Sequence, residues 1–270
     1  MAAQQRPLIT QEVEVIQPGE LLVQFGFEFL QEARFPLAGL EGDLTRVGVV
    51  ALHFGISRRV EVQLEGSVRN FLSVSEQRSA FVTPILTQGG DSTDDVGDFS
   101  IAAKAKLFSE QGRRPSLGFR FGFEMPTSDE RRGIGLNTTN IFAALLLQKH
   151  FGRLNTFAHA GLGILEAPAG LFAQNDVLLL GWGIVVPVNK RLNIVGEVQG
   201  RKSTRNTPAT SALAGTGSRG QGRLGIQFWA GGFRWDLAGI AGLTKNDADT
   251  GFTFGVSKTI RLFSSVGDIR

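Results

Sequence analysis

Apolar and polar residues alternate strictly along the segment LGFRFGFEM, residues 117–125. Phe119 and Phe121 fall on one side of this alternation, and Arg120 and Glu124 fall on the other. A period of two residues is that of a β-strand with two unlike faces. The next residue is a proline, which cannot continue a central strand, so the predicted strand ends there.

The same alternation recurs along the chain and predicts twelve strands. They span residues 20–31, 44–56, 60–70, 98–108, 117–125, 139–151, 154–165, 176–187, 192–202, 223–230, 233–242 and 252–262. No helical period competes with this pattern, and no linker or change in composition divides the chain. The prediction is an all-β fold: one 12-stranded antiparallel up-and-down barrel over residues 20–263, with a segment 1–19 before it and a tail 264–270 after it.

The predicted strands and loops have the dimensions of a barrel that spans a membrane. Many strands exceed the roughly 5–6 residues typical of soluble proteins and reach the about 9–11 residues that cross a bilayer at a tilt. Short and long connections alternate along the chain, so the short ones all lie at one end of the barrel. In outer-membrane barrels the short turns face the periplasm. The sequence therefore predicts a transmembrane β-barrel whose segment 1–19 is periplasmic.

Alternation alone does not say which face of the strands points outward. An apolar interior makes a soluble ligand-binding barrel, whereas an apolar exterior makes an outer-membrane barrel. We favour the second, because twelve such strands would enclose a far larger apolar lumen than one small ligand needs. The predicted lumen-lining residues are Gln24, Glu28, Glu61, Gln63, Glu65, Arg69, Lys104, Lys106, Arg120, Glu124, Glu197, Gln199, Arg201, Arg223, Gln227, Arg234 and Asp236. Two roles are open for them: a charged lumen that filters solutes, or pairs that close the barrel and avoid unpaired buried charge.

Composition narrows the range of partners. The net charge is +3, and 28 Lys and Arg residues are interleaved with 25 Asp and Glu residues, so no nucleic-acid surface is predicted. The chain has no cysteine, which excludes disulfides, thiolate metal sites and cysteine nucleophiles. Its start, MAAQQRPLIT, has neither the basic nor the apolar region of a secretion signal. We therefore expect that a signal peptide is absent from the given sequence.

The three histidines do not predict a catalytic site. His53, His150 and His159 are not grouped with Ser as a phospholipase requires, nor with Asp at the long-loop rim, and no nucleophile elbow is present. The acidic segments 91–95 and 246–249 carry carboxylates of the type that bind Ca²⁺, but their spacing matches no calcium loop. Solvated loop tips are favoured instead. The prediction is a protein that is not an enzyme, with no cofactor and no metal site.

Several short motifs occur in a characteristic order. RPLIT (6–10) and QPGE (17–20) come before the first predicted strand, GD (97–98) leads into IAAKAKL (101–107), and strand Arg120–Met125 is followed by PTSD (126–129). Together they resemble an outer-membrane barrel family named for the MetA pathway of phenol degradation, whose members are also called transporters. The resemblance covers nearly the whole chain. It implies an envelope location and uptake of aromatic or hydrophobic compounds.

These observations predict a bacterial outer-membrane barrel that forms a narrow channel or binding path for small solutes, and the resemblance implies aromatic or hydrophobic ones. The alternative is a structural or adhesive envelope barrel with an occluded lumen and functional extracellular loops; a soluble ligand-binding barrel comes third. The predicted partners are outer-membrane lipid, the barrel-assembly machinery and a small-molecule solute, with no nucleic acid. The oligomeric state stays open. So does the question of whether residues 6–17 or the loop 71–95 enter the lumen.

Overall fold

The computed structural model describes residues 6–87, 89–168, 173–208 and 211–263. Its strands are β1 (Glu20–Phe35), β2 (Leu40–Ser57), β3 (Val60–Gln77), β4 (Ser92–Asp95), β5 (Phe99–Phe108), β6 (Ser116–Met125), β7 (Asn140–Phe151), β8 (Leu154–Glu166), β9 (Gln174–Asn189), β10 (Leu192–Ser203), β11 (Arg219–Ala230), β12 (Phe233–Gly242) and β13 (Thr250–Arg261). In this part of the chain the helices are two short 3-10 turns, Glu130–Arg132 and Ala214–Thr216, and neither could cross a membrane. The predicted tail 264–270 lies outside the described residues.

The strands close into a twelve-membered antiparallel barrel. Apart from the short β4, each strand pairs with the strands before and after it along the chain, and β1 pairs with β13 to close the sheet. β3 pairs with β5 over its first half and with β4 through Asn70↔Asp95, in one continuous register. β4 and β5 are therefore two parts of one barrel strand, interrupted near Gly97, whose N–H donates to the Ser67 carbonyl at 2.9 Å. The predicted all-β, twelve-stranded antiparallel barrel is confirmed.

The strands continue further at the long-loop end than the alternation predicts. β1 extends to Phe35, β2 begins at Leu40, and β3 runs to Gln77, into a segment predicted as loop. Here the inner face turns apolar and packs against the loops. The cluster comprises Leu30, Ala33, Ala38, Leu40, Leu44, Leu72 and Ile240, with Phe35, Val74, Leu86, Ile134 and Ala248 against it. This small core fixes the loops over the outer end of the lumen.

Large apolar side chains cover the outer face of the barrel. On β6, Phe119, Phe121 and Phe123 are exposed, while Gly118 and Gly122, which fall on the other face, are buried. The same outward apolar positions recur on the neighbouring strands around the barrel. A continuous exposed apolar surface of this extent is unfavourable in water and matches the hydrocarbon of a bilayer. The predicted orientation, with the apolar face outward, therefore agrees with the structure.

A charge at the centre of this apolar band should make the barrel easier to unfold. Phe121 lies mid-strand with 48% of its surface exposed. Replacing it by Arg puts a guanidinium into hydrocarbon, which costs about 2–4 kcal/mol near the bilayer midplane. Urea unfolding of the protein in lipid vesicles should show this loss for Phe121→Arg, whereas Phe121→Leu stays within about 1.5 kcal/mol of wild type. An Arg variant as stable as wild type would show that this face does not meet lipid.

Candidate functional site: a plugged lumen

Residues 6–17, called the plug below, run inside the barrel. The side chains of Thr10, Val13 and Ile16 are 0%, 0% and 1% exposed. The sequence predicts a periplasmic segment over residues 1–19, so the structure differs from that prediction for the plug. Of the two segments that were open for entering the lumen, the N-terminal one does so and occupies its centre.

The turn that sends the chain into the lumen is made at Gly19. Its φ is 76°, in the left-handed region that favours glycine. A Cβ at this position would lie 2.4 Å from the Phe263 carbonyl oxygen, so a larger residue does not fit. The Gly19 N–H donates to the Gly55 carbonyl at 3.0 Å, and this bond ties the turn to the end of β2. The plug therefore enters from the short-turn end of the barrel, where β1 starts.

Polar side chains hold the part of the plug nearest the short-turn end. The Ile16 N–H donates to Glu61 Oε2 at 2.6 Å. Glu14 Oε2 pairs with Lys106 Nζ at 2.8 Å, and the residue before Glu14 donates its N–H to Gln148 Oε1 at 2.9 Å. Three wall strands thus satisfy plug groups that would otherwise be buried without partners.

A single carboxylate holds the middle of the plug. The Ile9 N–H donates to Glu197 Oε1 at 2.9 Å, and the Thr10 N–H donates to Glu197 Oε2 at 2.7 Å. Glu197 is buried, and Arg223 Nε lies 3.7 Å from it. Hydrogen bonds to an ionised acceptor are roughly twice as strong as neutral ones. Glu197 is therefore the wall residue with the largest expected share in fixing the plug.

Arg6, the first residue of the plug, attaches it to the wall and lies against two glycines. Arg6 donates to Thr253 Oγ1 at 2.6 Å and lies 3.4 Å from Asp236 Oδ1. Gly26 and Gly255 are opposite each other on β1 and β13. A Cβ at Gly26 or Gly255 would come within 2.3 or 2.5 Å of the Arg6 guanidinium. The absence of side chains at this pair makes the space that Arg6 occupies.

Filling that space is expected to release the far end of the plug. In Gly255→Ala the new methyl group overlaps Arg6, whose nearest atom is 2.5 Å away. Hydrogen–deuterium exchange should then be faster in the peptide that covers residues 6–12. Gly239→Ala is the matched control, because a Cβ there meets its nearest neighbour, the Leu224 carbonyl oxygen, at 4.0 Å. Equal exchange in the two variants would contradict the role assigned to Gly255.

The structure places the predicted lumen residues in three groups. Those that contact the plug are Glu61, Gln63, Glu65, Lys106, Glu197, Arg223, Gln227 and Asp236. Those that pair on the inner wall, or border the space beside the plug, are Gln24, Glu28, Lys104, Arg120, Glu124, Gln199, Arg201 and Arg234. The remaining residue, Arg69, lies on the outer face. Much of the polar wall is thus engaged in holding the plug.

The predicted inward orientation of Arg69 is wrong, because β2 contains a β-bulge. Gly48, with a φ of 66°, is an extra residue of β2 opposite β1, and the inward alternation shifts by one beyond it. Arg69 of β3 pairs in register with Val47, whose side chain is exposed on the outer face. Its guanidinium forms an ion pair with Asp94, which lies on that face too. In β3 the outward apolar residues change from Val68 to Phe71, three positions apart, so the two-residue period of β3 breaks at the same level.

Among the polar inner-wall residues that sequence reasoning missed, two lie on β2. His53 lies between Glu61 and Glu65, with its ring nitrogens 3.4 and 3.2 Å from their carboxylates. Arg46 forms an ion pair with a carboxylate of β1 at 2.9 Å. Apolar residues occur on both faces of this strand, so its alternation did not show which residues point inward. The short turn after β2 was a usable signal, because a tight hairpin fixes the register and places His53 opposite Gln63.

A cavity of about 350 Å³, called the chamber below, lies between the plug and the outer loops. Ile9 and Gln11 of the plug border it on one side, and Asp247 and Ala248 of the β12–β13 loop border it on another. Its other charged lining residues are Glu28, Arg46, Arg120, Arg201, Arg219 and Arg223, and His159 also faces it. The lumen is therefore divided into a filled part and a small polar chamber.

The acidic loop residues bind groups of the protein itself. Asp249 pairs with Arg34 at 2.8 Å, and Asp247 accepts from the Gly220 N–H at 2.9 Å. Among the described residues, no group of three or more His, Asp or Glu side chains is arranged to hold a metal ion. These loops are built from internal pairs, which fix the strand ends around the outer mouth.

Comparisons with known proteins bear on the fold. No family model and no curated protein matches the chain. The chain is similar to the COG4313 outer membrane channel from Pseudomonas putida F1, with 14% sequence identity, a TM-score of 0.64, and 92% of this chain and 98% of that chain covered. It is also similar to the translocator domain of the autotransporter NalP from Neisseria meningitidis, with 12% identity, a TM-score of 0.52, and 91% and 90% of the two chains covered. The fold is that of a bacterial outer-membrane barrel, as predicted, and the resemblance to the phenol-degradation family stays a prediction.

Proposed function

We propose that this barrel is a narrow outer-membrane channel for small solutes, closed at rest by its own N-terminal segment. The observation that carries the proposal is the polar attachment of the plug. Its backbone N–H groups bind Glu61, Gln148 and Glu197 on the wall, while Leu8 and Val13 add small apolar contacts. Polar groups exchange their partners for water when the plug leaves, so the lumen behind it stays wetted. A permanent closure is better made by an apolar core.

The width of the barrel and the resemblance to the phenol-degradation family limit the solutes that we propose. A twelve-stranded barrel is narrower than the sixteen-stranded porins, so the solute is small. The motifs shared with the phenol-degradation family support aromatic or hydrophobic compounds as candidates. Outer-membrane lipid and the barrel-assembly machinery complete the proposed partners.

The test is electrical recording of the purified full chain in a planar lipid bilayer. Wild type is expected to give small, discrete current steps, and Glu197→Gln is expected to stay open for a larger fraction of the time. The amide is neutral and offers one acceptor oxygen where the carboxylate offers two. Losing a charge-assisted bond costs about 1.5 kcal/mol, which raises the open-to-closed ratio about tenfold.

Glu124→Gln is the matched control for this experiment. It makes the same chemical change on the inner wall, where Glu124 Oε1 accepts from Asn140 Nδ2 at 2.7 Å. This variant is expected to gate as wild type does. If Glu197→Gln and Glu124→Gln changed gating equally, the change would follow from wall charge and the plug would not be the gate.

One observation favours the second candidate, a structural or adhesive barrel. The apolar cluster around Leu40, Leu44 and Leu72 fixes the loops over the outer mouth. In that case wild type and Glu197→Gln would both insert without carrying current. Binding of the intact barrel to surfaces would then depend on the loops.

A further inference from the structure

The chamber carries more cations than carboxylates. Five arginines line it, and three of these contact an acidic partner. Glu28 bridges Arg46 and Arg223 at 2.9 and 2.8 Å, and Arg120 pairs with Glu65 at 3.1 Å. The remaining two, Arg201 and Arg219, give the chamber positive charge that no described acidic residue contacts.

Asp247 also lines the chamber but accepts from the Gly220 N–H, whereas Arg201 and Arg219 face each other without an ion-pair partner among the described residues. They are directly opposite on β10 and β11. Arg201 donates to the Gly215 and Gly217 carbonyls at 2.8 and 3.0 Å, and Arg219 donates to the Arg34 carbonyl at 2.8 Å. Within the described part of the chain, neither guanidinium has a carboxylate oxygen within 4.0 Å. Like charges directly opposite on neighbouring strands repel, and an anion beside both of them would remove that cost.

Apolar side chains flank the arginine pair: Leu179 of β9 is directly opposite Arg201, and Ile240 lies on β12, the strand next to β11. Leu30, Phe142, Leu179 and Ile240 contribute to the lining of the chamber. The Arg120 guanidinium stacks over the Phe142 ring, 4.7 Å from the ring centroid. The chamber thus offers cations with aliphatic and aromatic surface beside them. A ligand that matches it has one anionic end and one apolar body.

We propose that the chamber binds a small organic carboxylate with a compact apolar body, and that Arg201 and Arg219 take the carboxylate. The planar guanidinium fork matches a carboxylate through two parallel hydrogen bonds, which an ammonium group does not provide. A volume of about 350 Å³ lies at the lower end of the roughly 300–1,000 Å³ of ligand pockets, which suits a molecule with a single ring. This inference rests on the proposed function, since it names the class of solute that the channel holds.

Equilibrium binding to the full chain in detergent tests the class of ligand. The probes are benzoate, benzyl alcohol and acetate. Benzyl alcohol keeps the ring without the charge, and acetate keeps the charge without the ring. Benzoate is expected to bind at least about tenfold more tightly than either, because each of the others loses one of the two matched interactions. Equal binding of benzyl alcohol, equal binding of acetate, or no binding of benzoate would each overturn the proposal, and none of these comparisons needs a variant.

Substitution then tests the two residues. Arg201→Gln with Arg219→Gln is expected to weaken benzoate binding by about tenfold or more. Arg58→Gln with Arg191→Gln removes two charges from exposed short turns and is expected to leave binding unchanged. A benzoate affinity that falls equally in both double variants would show an effect of net charge and overturn the assignment. Arg201→Lys with Arg219→Lys keeps both charges and loses the fork geometry, so weakened binding in this variant separates the two contributions.

Failure of this inference differs from failure of the proposed function. Current that rises in Glu197→Gln, combined with no benzoate binding, rejects the chamber as a carboxylate site and keeps the channel. Benzoate binding in a barrel that never conducts keeps the site and rejects the channel. Both readouts come from the same purified chain.

Discussion

Deleting residues 6–16 is expected to raise the single-channel conductance several-fold over wild type and to abolish most closures. The plug fills the centre of the lumen, where Thr10 and Val13 are fully buried. The lumen of a twelve-stranded barrel is narrow, so a segment inside it leaves little open area for ions and limits the current. The measurement is the size of the current steps in a planar bilayer, with protein folding checked by the heat-dependent gel mobility of the barrel.

A reversible tether of the same segment is the control for the deletion. The chain has no cysteine, so a new pair forms an unambiguous disulfide. A Cβ placed on Gly118 would lie 3.2 Å from Val13 Cγ1, a separation that suits a disulfide between Val13→Cys and Gly118→Cys. The oxidised variant should remain closed, and reduction should restore wild-type gating. An oxidised variant that conducts like the deletion would show that the current does not pass through the lumen that the plug fills.

Glu61→Gln is expected to destabilise the barrel by about 3–5 kcal/mol. Lys104 Nζ lies 3.0 Å from Glu61 Oε1, and both side chains are 0% exposed. Glu61 also faces His53 and accepts from the plug at Ile16. Removing its charge leaves the buried Lys104 ammonium without its ion-pair partner. Breaking such a pair costs much more than the pair contributes when intact.

The double variant Glu61→Gln with Lys104→Met separates the pair from the rest of the wall. It also removes the charge of Lys104, which is left unpaired in Glu61→Gln, so it should recover much of the stability lost in that single variant. The free energies of unfolding in urea, measured in lipid vesicles, form a double-mutant cycle with Lys104→Met alone. Additive single effects would mean that Glu61 and Lys104 do not depend on each other. In that case the inner wall would not be organised around buried ion pairs.

The location of the strands was readable from the sequence because their signal is local. Each strand that crosses a membrane meets two different solvents, so its residues must alternate whatever its neighbours are. Strand β6 shows this directly: Phe119, Phe121 and Phe123 point outward, as predicted. Arg120 points inward, where it contacts Gln63 at 2.7 Å.

The same local signal fails where one strand alters its neighbour. Gly48 in β2 shifts the alternation of β3, and Arg69 therefore points outward. The three-residue spacing of Val68 and Phe71 breaks the alternation beside Arg69, but the extra residue itself lies in the partner strand. Predicting the orientation of Arg69 requires the register between strands as well as the period within one.

The sequence by itself determined the class of the molecule: a long alternating pattern, loops of alternating length and no competing helical period leave a membrane barrel as the consistent architecture. The tertiary structure decided what the lumen contains. The plug is irregular and has no period, and its partners Glu61, Glu197 and Asp236 lie far from it along the chain. A segment without regular structure gains its conformation from those distant hydrogen bonds, so only the closed barrel shows that it belongs inside.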